Sequence, residues 1–164
     1  MEKIKNINLD YVRILCLQLL VSFLGLTICR VLFHVFNLTK FENIGIAEYG
    51  TGALYDLFTI GIFFIPYYCF YLIPFHRRDH RIYSIFTKLL FHLTNTFIIC
   101  LNLVDVEFYK FSSKRSGYDV VEMMLYGNDF QNLLGTFIAD YWYLVLTAIL
   151  LILGTEWALR KIGT

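Results

Sequence analysis

The stretch IYSIFTKLLFHLTNTFIICLNLV, residues 82–104, decides the fold class of this chain. It is long and apolar enough for a membrane-spanning helix, which needs about 20 mostly apolar residues. Its strongly polar members are Lys88, His92, Asn95 and Asn102. Together with Asp105 they recur at steps of three, four or seven residues, which places them on one face of a helix. Because such groups are costly against lipid, we expect this face to point into a helical bundle.

The composition of the whole chain also indicates a membrane protein. Hydrophobic residues make up 58% and charged residues 16% of its 164 residues, whereas soluble domains average about 45–50% and about 25%. The net charge of +1 and the absence of a Lys/Arg stripe argue against a nucleic-acid partner. The chain has no phosphate-binding glycine loop, catalytic triad pattern or metal-ligand cluster. We therefore predict no catalytic residue, metal site or cofactor in it.

Three further stretches are predicted to span the membrane, at residues 12–36, 52–74 and 137–159. The predicted fold is an all-α membrane protein, in which four transmembrane helices form a single domain over residues 1–164. Pro66 lies inside the second span, where the missing N–H predicts a kink.

The distribution of Lys and Arg predicts the orientation of these spans. One side would carry eight basic residues: Lys3, Lys5, Arg13, Arg77, Arg78, Arg81, Arg160 and Lys161. The other side would carry four in longer loops: Lys40, Lys110, Lys114 and Arg115. The N-terminus and the C-terminus are therefore both predicted to be cytoplasmic.

The segment at residues 105–135 is predicted to lie at the outer membrane–water boundary. Within it, residues 118–126 have the pattern of a short helix in the plane of the interface. Asp119 and Glu122 resemble a capping box, and Gly127 is a suitable stop.

A group of polar residues is predicted to meet at this outer boundary. Its members are Arg30, Asp56, Asn102, Asp105 and Arg115. Arg30 follows Arg13 by 17 residues, or roughly 25 Å of helix, and Asp56 begins a span that enters from the same side. An ion pair between Arg30 and Asp56 would lower the cost of holding either charge in the membrane.

Three interpretations of this group are open. Its members satisfy one another and hold the helices in register, or they bind an anionic lipid head group through bidentate arginine contacts. In the third, Arg30 merely extends to the membrane surface. Elsewhere, the triplet NLT at Asn37 fits a glycosylation acceptor, which would matter only in a eukaryotic secretory setting. His34 is expected to be a packed or interfacial residue.

Two stretches suggest a family: GALYDLFTIGIFFIPYYCFYLIP, residues 52–74, and NTFIICLNLVDVEFYKFSSKRSGYDV, residues 95–120. With the first span and its Arg30, they resemble the N-terminal membrane region of lipoteichoic-acid-synthase-like proteins. These form the phosphoglycerol transferase branch of the alkaline phosphatase/sulfatase superfamily. The motif Asp-x-Glu-Phe-Tyr-x-Phe followed by Lys-Arg is most similar to versions from Bacteroidetes-type bacteria.

The resemblance implies a place in the bacterial cytoplasmic (inner) membrane and a role beside membrane phospholipids. Such proteins have a fifth span and an extracytoplasmic catalytic domain, which binds manganese or zinc and transfers phosphoglycerol or phosphoethanolamine from a phospholipid. We expect both to be missing from this chain, so none of their catalytic or metal residues carries over. In the resembled proteins the outer loops lie beneath that domain. The resemblance thus implies that a set of outer residues orients the domain or a lipid phosphate: Asp105, Glu107, Tyr109, Lys114 and Arg115.

Two functions follow as expectations. In the first, the chain anchors such a transferase and shapes its lipid-access surface, without chemistry of its own, and its partners are phospholipids, the missing domain or other membrane helices. In the second, it is an independent four-helix accessory subunit or small-solute carrier, whose polar face on the third span, including Asn95, lines a pathway. The absence of a visible internal repeat disfavours the carrier.

Overall fold

The computed structural model describes residues 9–41, 45–72, 81–115, 117 and 138–162. All regular elements in these ranges are helical, as predicted. They are α1 (Leu9–Phe36), a short 3-10 helix (Leu38–Lys40), α2 (Ile46–Phe63), α3 (Ile65–Leu72), α4 (Arg81–Ser112) and α5 (Trp142–Ile162). The predicted helix at residues 118–126 and the basic link with Arg77 and Arg78 lie outside the described residues.

Three of these helices are long and apolar enough to cross a membrane: Val12–Phe36, Arg81–Lys110 and Trp142–Ile162. The pair α2 and α3 passes the same test only together, so the described chain has three or four candidate spans. Large apolar side chains such as Leu24, Leu89 and Leu150 are more than half exposed. Such surface is compatible with helices that face acyl chains and is unusual for a soluble monomer.

A bend at Phe64 separates α2 from α3, as Pro66 predicts. The two helix axes differ by 57°, and Phe64 has φ −86° and ψ 4° instead of helical values. Pro66 lacks the N–H that would continue the ladder to Ile62 and is tolerated in the first turn of a new helix. The bend leaves the Phe64 side chain fully buried.

The described helix α4 extends beyond the predicted span of residues 82–104. Residues 105–112, assigned to an interfacial segment, continue α4 to Ser112. A fall in hydropathy marks the edge of the membrane but does not end a helix, and these residues include no Gly or Pro. The helix ends at Ser112; the next residue, Ser113, has a left-handed φ of 52°, and its N–H donates to the Tyr109 carbonyl at 2.9 Å.

Helix α1 is the centre of the packing and contacts α2, α4 and α5. It runs parallel to α4, because its successive core residues Leu26, Cys29 and Phe33 pack in clusters with Ile98, Ile99 and Val106 in the same order. A Cβ built on Gly25 would lie 3.7 Å from Ile99 Cδ1, an ordinary contact distance. This register brings the C-terminal turns of α1 and α4 to one end of the bundle.

Candidate functional site

Arg30 lies where α1 crosses α2, and its guanidinium is held by two groups of α2. It forms the predicted ion pair with Asp56, and the two side chains are 12% and 10% exposed. Arg30 Nη1 also donates to the Tyr49 carbonyl at 3.2 Å. A Cβ on Gly52 would lie only 2.9 Å from Arg30 Nε, so glycine is what lets the guanidinium lie across this helix. Arg30 is therefore a fixed and neutralised cation.

An open cleft of about 700 Å³ lies beside this ion pair, between α1, the first turns of α2 and the end of α4. We call it the Arg30 cleft; residues that line it include Arg30, Phe33, Phe41, Glu48, Tyr109 and Arg115. Its size is in the range of small-ligand sites. The cleft thus brings three predicted site residues to one cavity: Arg30 from the first span, and Tyr109 and Arg115 from the end of α4 and the residues after it.

Arg115 is the exposed cation of this cleft. Its guanidinium carbon lies 4.9 Å from the centroid of the Phe33 ring, close enough for a cation–π contact. Among the described residues, no carboxylate lies within ion-pair distance of it. The cleft therefore holds two guanidinium groups, of which Asp56 neutralises one.

Aromatic rings form one wall of the cleft and fix its shape. Phe33, Phe41 and Tyr109 pack mutually, with centroid distances of 5.1 to 5.7 Å. Beside them, His34 Nδ1 and the Tyr49 hydroxyl form a hydrogen bond, so Tyr49 contacts α1 through both its carbonyl and its ring. Ring contacts of this kind stabilise beyond their buried area.

Asn37 ties the end of α1 to α4 directly behind this wall. Its side-chain amide donates to the Phe33 carbonyl at 2.9 Å and to the Val106 carbonyl at 3.0 Å. The residue is only 1% exposed, so in the folded chain its nitrogen is inaccessible to a glycosylating enzyme. Asn37, the first residue of the NLT triplet, therefore has a structural role in this fold.

The remaining predicted residues at this end do not line the cleft. Glu107 is buried, pairs with Lys110 and accepts from the Tyr143 hydroxyl at 2.6 Å, which fixes α4 to α5. Asp105 is also buried. Lys114 is exposed, and its backbone groups hydrogen-bond to Ser112 Oγ.

The polar face predicted on α4 is only partly turned inward. Asn95 is buried and donates to Thr155 Oγ1 at 3.4 Å, whereas Lys88 is exposed. His92 is half-buried and binds Glu156 on α5 at 2.8 Å. Asn102 satisfies its amide within its own helix, by donating to the Ile98 carbonyl at 2.9 Å. The face therefore serves α4–α5 packing at several depths instead of forming one cluster with Arg30.

A second buried polar group lies deeper in the bundle and was missed by the sequence analysis. The Tyr67 hydroxyl of α3 donates to Gln18 Oε1 of α1, and Ser22 lies one turn further along α1. Both Ser22 Oγ and Asn95 Oδ1 are buried without a hydrogen-bond partner in the described part of the chain. The spacing of Gln18 and Ser22, four residues apart in an apolar helix, was the available signal.

An apolar layer separates these deeper polar residues from the Arg30 cleft. It consists of Leu26, Cys29, Ile98 and Ile99, each 0% or 1% exposed. Within the described helices this layer leaves no continuous row of polar side chains from Asn95 to Arg30. The two polar regions are therefore separate features of the bundle.

Comparison of this chain with protein-family models, with curated proteins and with solved structures gave no match.

Proposed function

We propose that this chain is the membrane-embedded, lipid-access part of an envelope transferase of the lipoteichoic-acid-synthase-like kind, and that the Arg30 cleft holds the phosphate of a membrane phospholipid. The chain anchors the enzyme in the bacterial cytoplasmic membrane. The observation that carries the proposal is the exposed guanidinium of Arg115 in a cleft whose other guanidinium, Arg30, is already neutralised.

The different surroundings of the two arginines, one paired and one exposed, support a phosphate ligand. Arg30 is bound to Asp56 and to the Tyr49 carbonyl. These contacts lower the free-energy cost of holding its charge in the membrane, even before a ligand binds. Among the described residues no hydrogen-bond or ion-pair partner occupies the donors of Arg115, and a planar guanidinium matches two phosphate oxygens at once. Its contact with Phe33 holds the guanidinium at the cleft without occupying its N–H groups.

We further propose that the cleft faces the extracytoplasmic side. At the opposite end of the described helices, Arg13, Arg81 and Arg160 are exposed, which fits the excess of basic residues on the cytoplasmic side.

The alternative function is a four-helix accessory subunit or small-solute carrier. A carrier needs polar groups along a route through the bundle, and the apolar layer around Ile98 and Ile99 interrupts that route in the described helices. The accessory-subunit version is compatible with the same cleft. Uptake of a labelled solute by vesicles that contain the purified chain would favour the carrier.

The proposal is tested by lipid retention. The chain is purified from membranes in mild detergent, and the bound phospholipid is quantified by native mass spectrometry. We expect Arg115→Gln to reduce retention at least about tenfold, the effect of losing a charge-assisted contact. Lys114→Gln is the matched control, because Lys114 is exposed next to Arg115 but does not line the cleft. Equal retention by wild type and Arg115→Gln would refute the proposed function.

A further inference from the structure

We infer that the Arg30 cleft selects a zwitterionic head group, a phosphodiester joined to an ammonium as in phosphatidylethanolamine, over an anionic one such as phosphatidylglycerol. The inference rests on the proposed function, since it names the class of lipid that the same cleft would hold. It comes from the charges that line the cleft and from their positions.

The charges of the described residues that line the cleft balance. Arg30 is neutralised by Asp56, which leaves the guanidinium of Arg115 and the carboxylate of Glu48 as the other charged groups among the described lining residues. In the described part of the chain neither of these two has an ion-pair partner. A ligand that complements both must carry one negative and one positive charge. A head group with only a phosphate would leave Glu48 opposed to it.

Glu48 is held in place at the wall formed by α2. Its Oε2 accepts from the Gly45 N–H at 2.9 Å, the reciprocal half of a capping box at the start of the helix. The carboxylate therefore stays at the cleft while its other oxygen remains available to an ammonium donor. Tyr49 and Tyr55, on the same helix, also line the cleft.

The helices that bound the cleft carry exposed apolar side chains. Val31 and Val35 of α1 and Leu54 and Phe58 of α2 are 43–66% exposed. Such side chains would face the acyl chains of a membrane, so the head group of a phospholipid is the source of the ligand that fits this surrounding.

The test is competition between lipids in nanodiscs that contain equal amounts of phosphatidylethanolamine, phosphatidylglycerol and phosphatidylcholine. Lipids retained by the protein after extraction are counted by native mass spectrometry. We expect wild type to retain phosphatidylethanolamine at least about tenfold over phosphatidylglycerol, because one charge-assisted contact distinguishes them. Equal retention of these two lipids, or preference for phosphatidylglycerol, would overturn the inference while leaving the proposed function intact.

Two variants separate the two halves of the site. Glu48→Gln keeps the capping residue type and should abolish the preference while phospholipid is still retained, whereas Arg115→Gln should lose both lipids. Asp140→Asn is the control, because Asp140 is an exposed carboxylate that does not line the cleft. A preference that survives Glu48→Gln would overturn the inference, and retention that survives Arg115→Gln would instead refute the proposed function.

A soluble competitor identifies the source of the head group. Glycerophosphoethanolamine carries the same charges without acyl chains. We expect it to displace no phosphatidylethanolamine at concentrations equal to that of the lipid. Displacement at equal concentration would show that the chains contribute nothing and would overturn the assignment to a lipid.

Discussion

Removing the carboxylate of Asp56 is the most informative perturbation of the bundle, because Arg30 would then be held at the same depth without its counter-charge. Breaking a buried ion pair by removing one partner costs about 3–5 kcal/mol. The side chains of Arg30 and Asp56 are each about one-tenth exposed, and in the variant the Tyr49 carbonyl can still accept a hydrogen bond from Arg30. We therefore expect Asp56→Asn to lower the free energy of unfolding by about 3 kcal/mol, at the lower end of that range.

The measurement is unfolding of the purified protein by sodium dodecyl sulfate in mixed micelles, followed by circular dichroism. Replacing both partners, as in Arg30→Met with Asp56→Leu, should cost far less than the two single changes together, since no unpaired charge remains. The exposed Asp140→Asn serves as the control and should be within about 0.5 kcal/mol of wild type. A loss below about 0.5 kcal/mol for Asp56→Asn, or additive effects of the double change, would refute the reasoning.

Two other predictions use matched pairs of residues. Both Gly52→Ala and Gly61→Ala gain helix propensity, but the free energy of unfolding should be lower for Gly52→Ala by about 1 kcal/mol. The reason is that a Cβ at Gly52 would meet Arg30, whereas nothing lies within 4 Å of a Cβ at Gly61. Asn37→Ala should cost about 1–3 kcal/mol, since its buried amide joins two helices, and Asn102→Ala should cost clearly less because its amide bonds only within its own helix. The same unfolding titration measures all four, and equal effects within either pair would count against the packing described.

The Arg30–Asp56 pair could be predicted from the sequence because it depends only on helix geometry. The rise per residue fixes the depth of Arg30 on one span and of Asp56 on the next, and a charge at that depth needs a partner. The bend at Pro66 was predictable for the same kind of local reason. Both features follow from rules that do not require knowledge of which helices are neighbours.

The rest of the cleft could not be predicted because it depends on packing between distant segments. The approach of Arg115 to Phe33 requires α4 to continue beyond the predicted span to Ser112, and hydropathy does not report where a helix ends. Periodicity also placed Asn102 on an inward face, but an asparagine in a helix has the alternative of bonding its own backbone. The sequence gives no signal for Glu48, since its role depends on lining the same cleft as Arg115.

The most direct test of the account is whether a lipid phosphate lies on the Arg115 guanidinium. Solid-state NMR of protein with ¹³C-labelled arginine, reconstituted in phosphatidylethanolamine-containing bilayers, measures ¹³C–³¹P dipolar coupling. Subtracting the spectrum of Arg115→Gln isolates the Arg115 contribution. We expect that difference to show a carbon–phosphorus distance of about 4 Å, as for a guanidinium that bonds phosphate oxygens directly. A difference spectrum without ³¹P coupling would contradict the account.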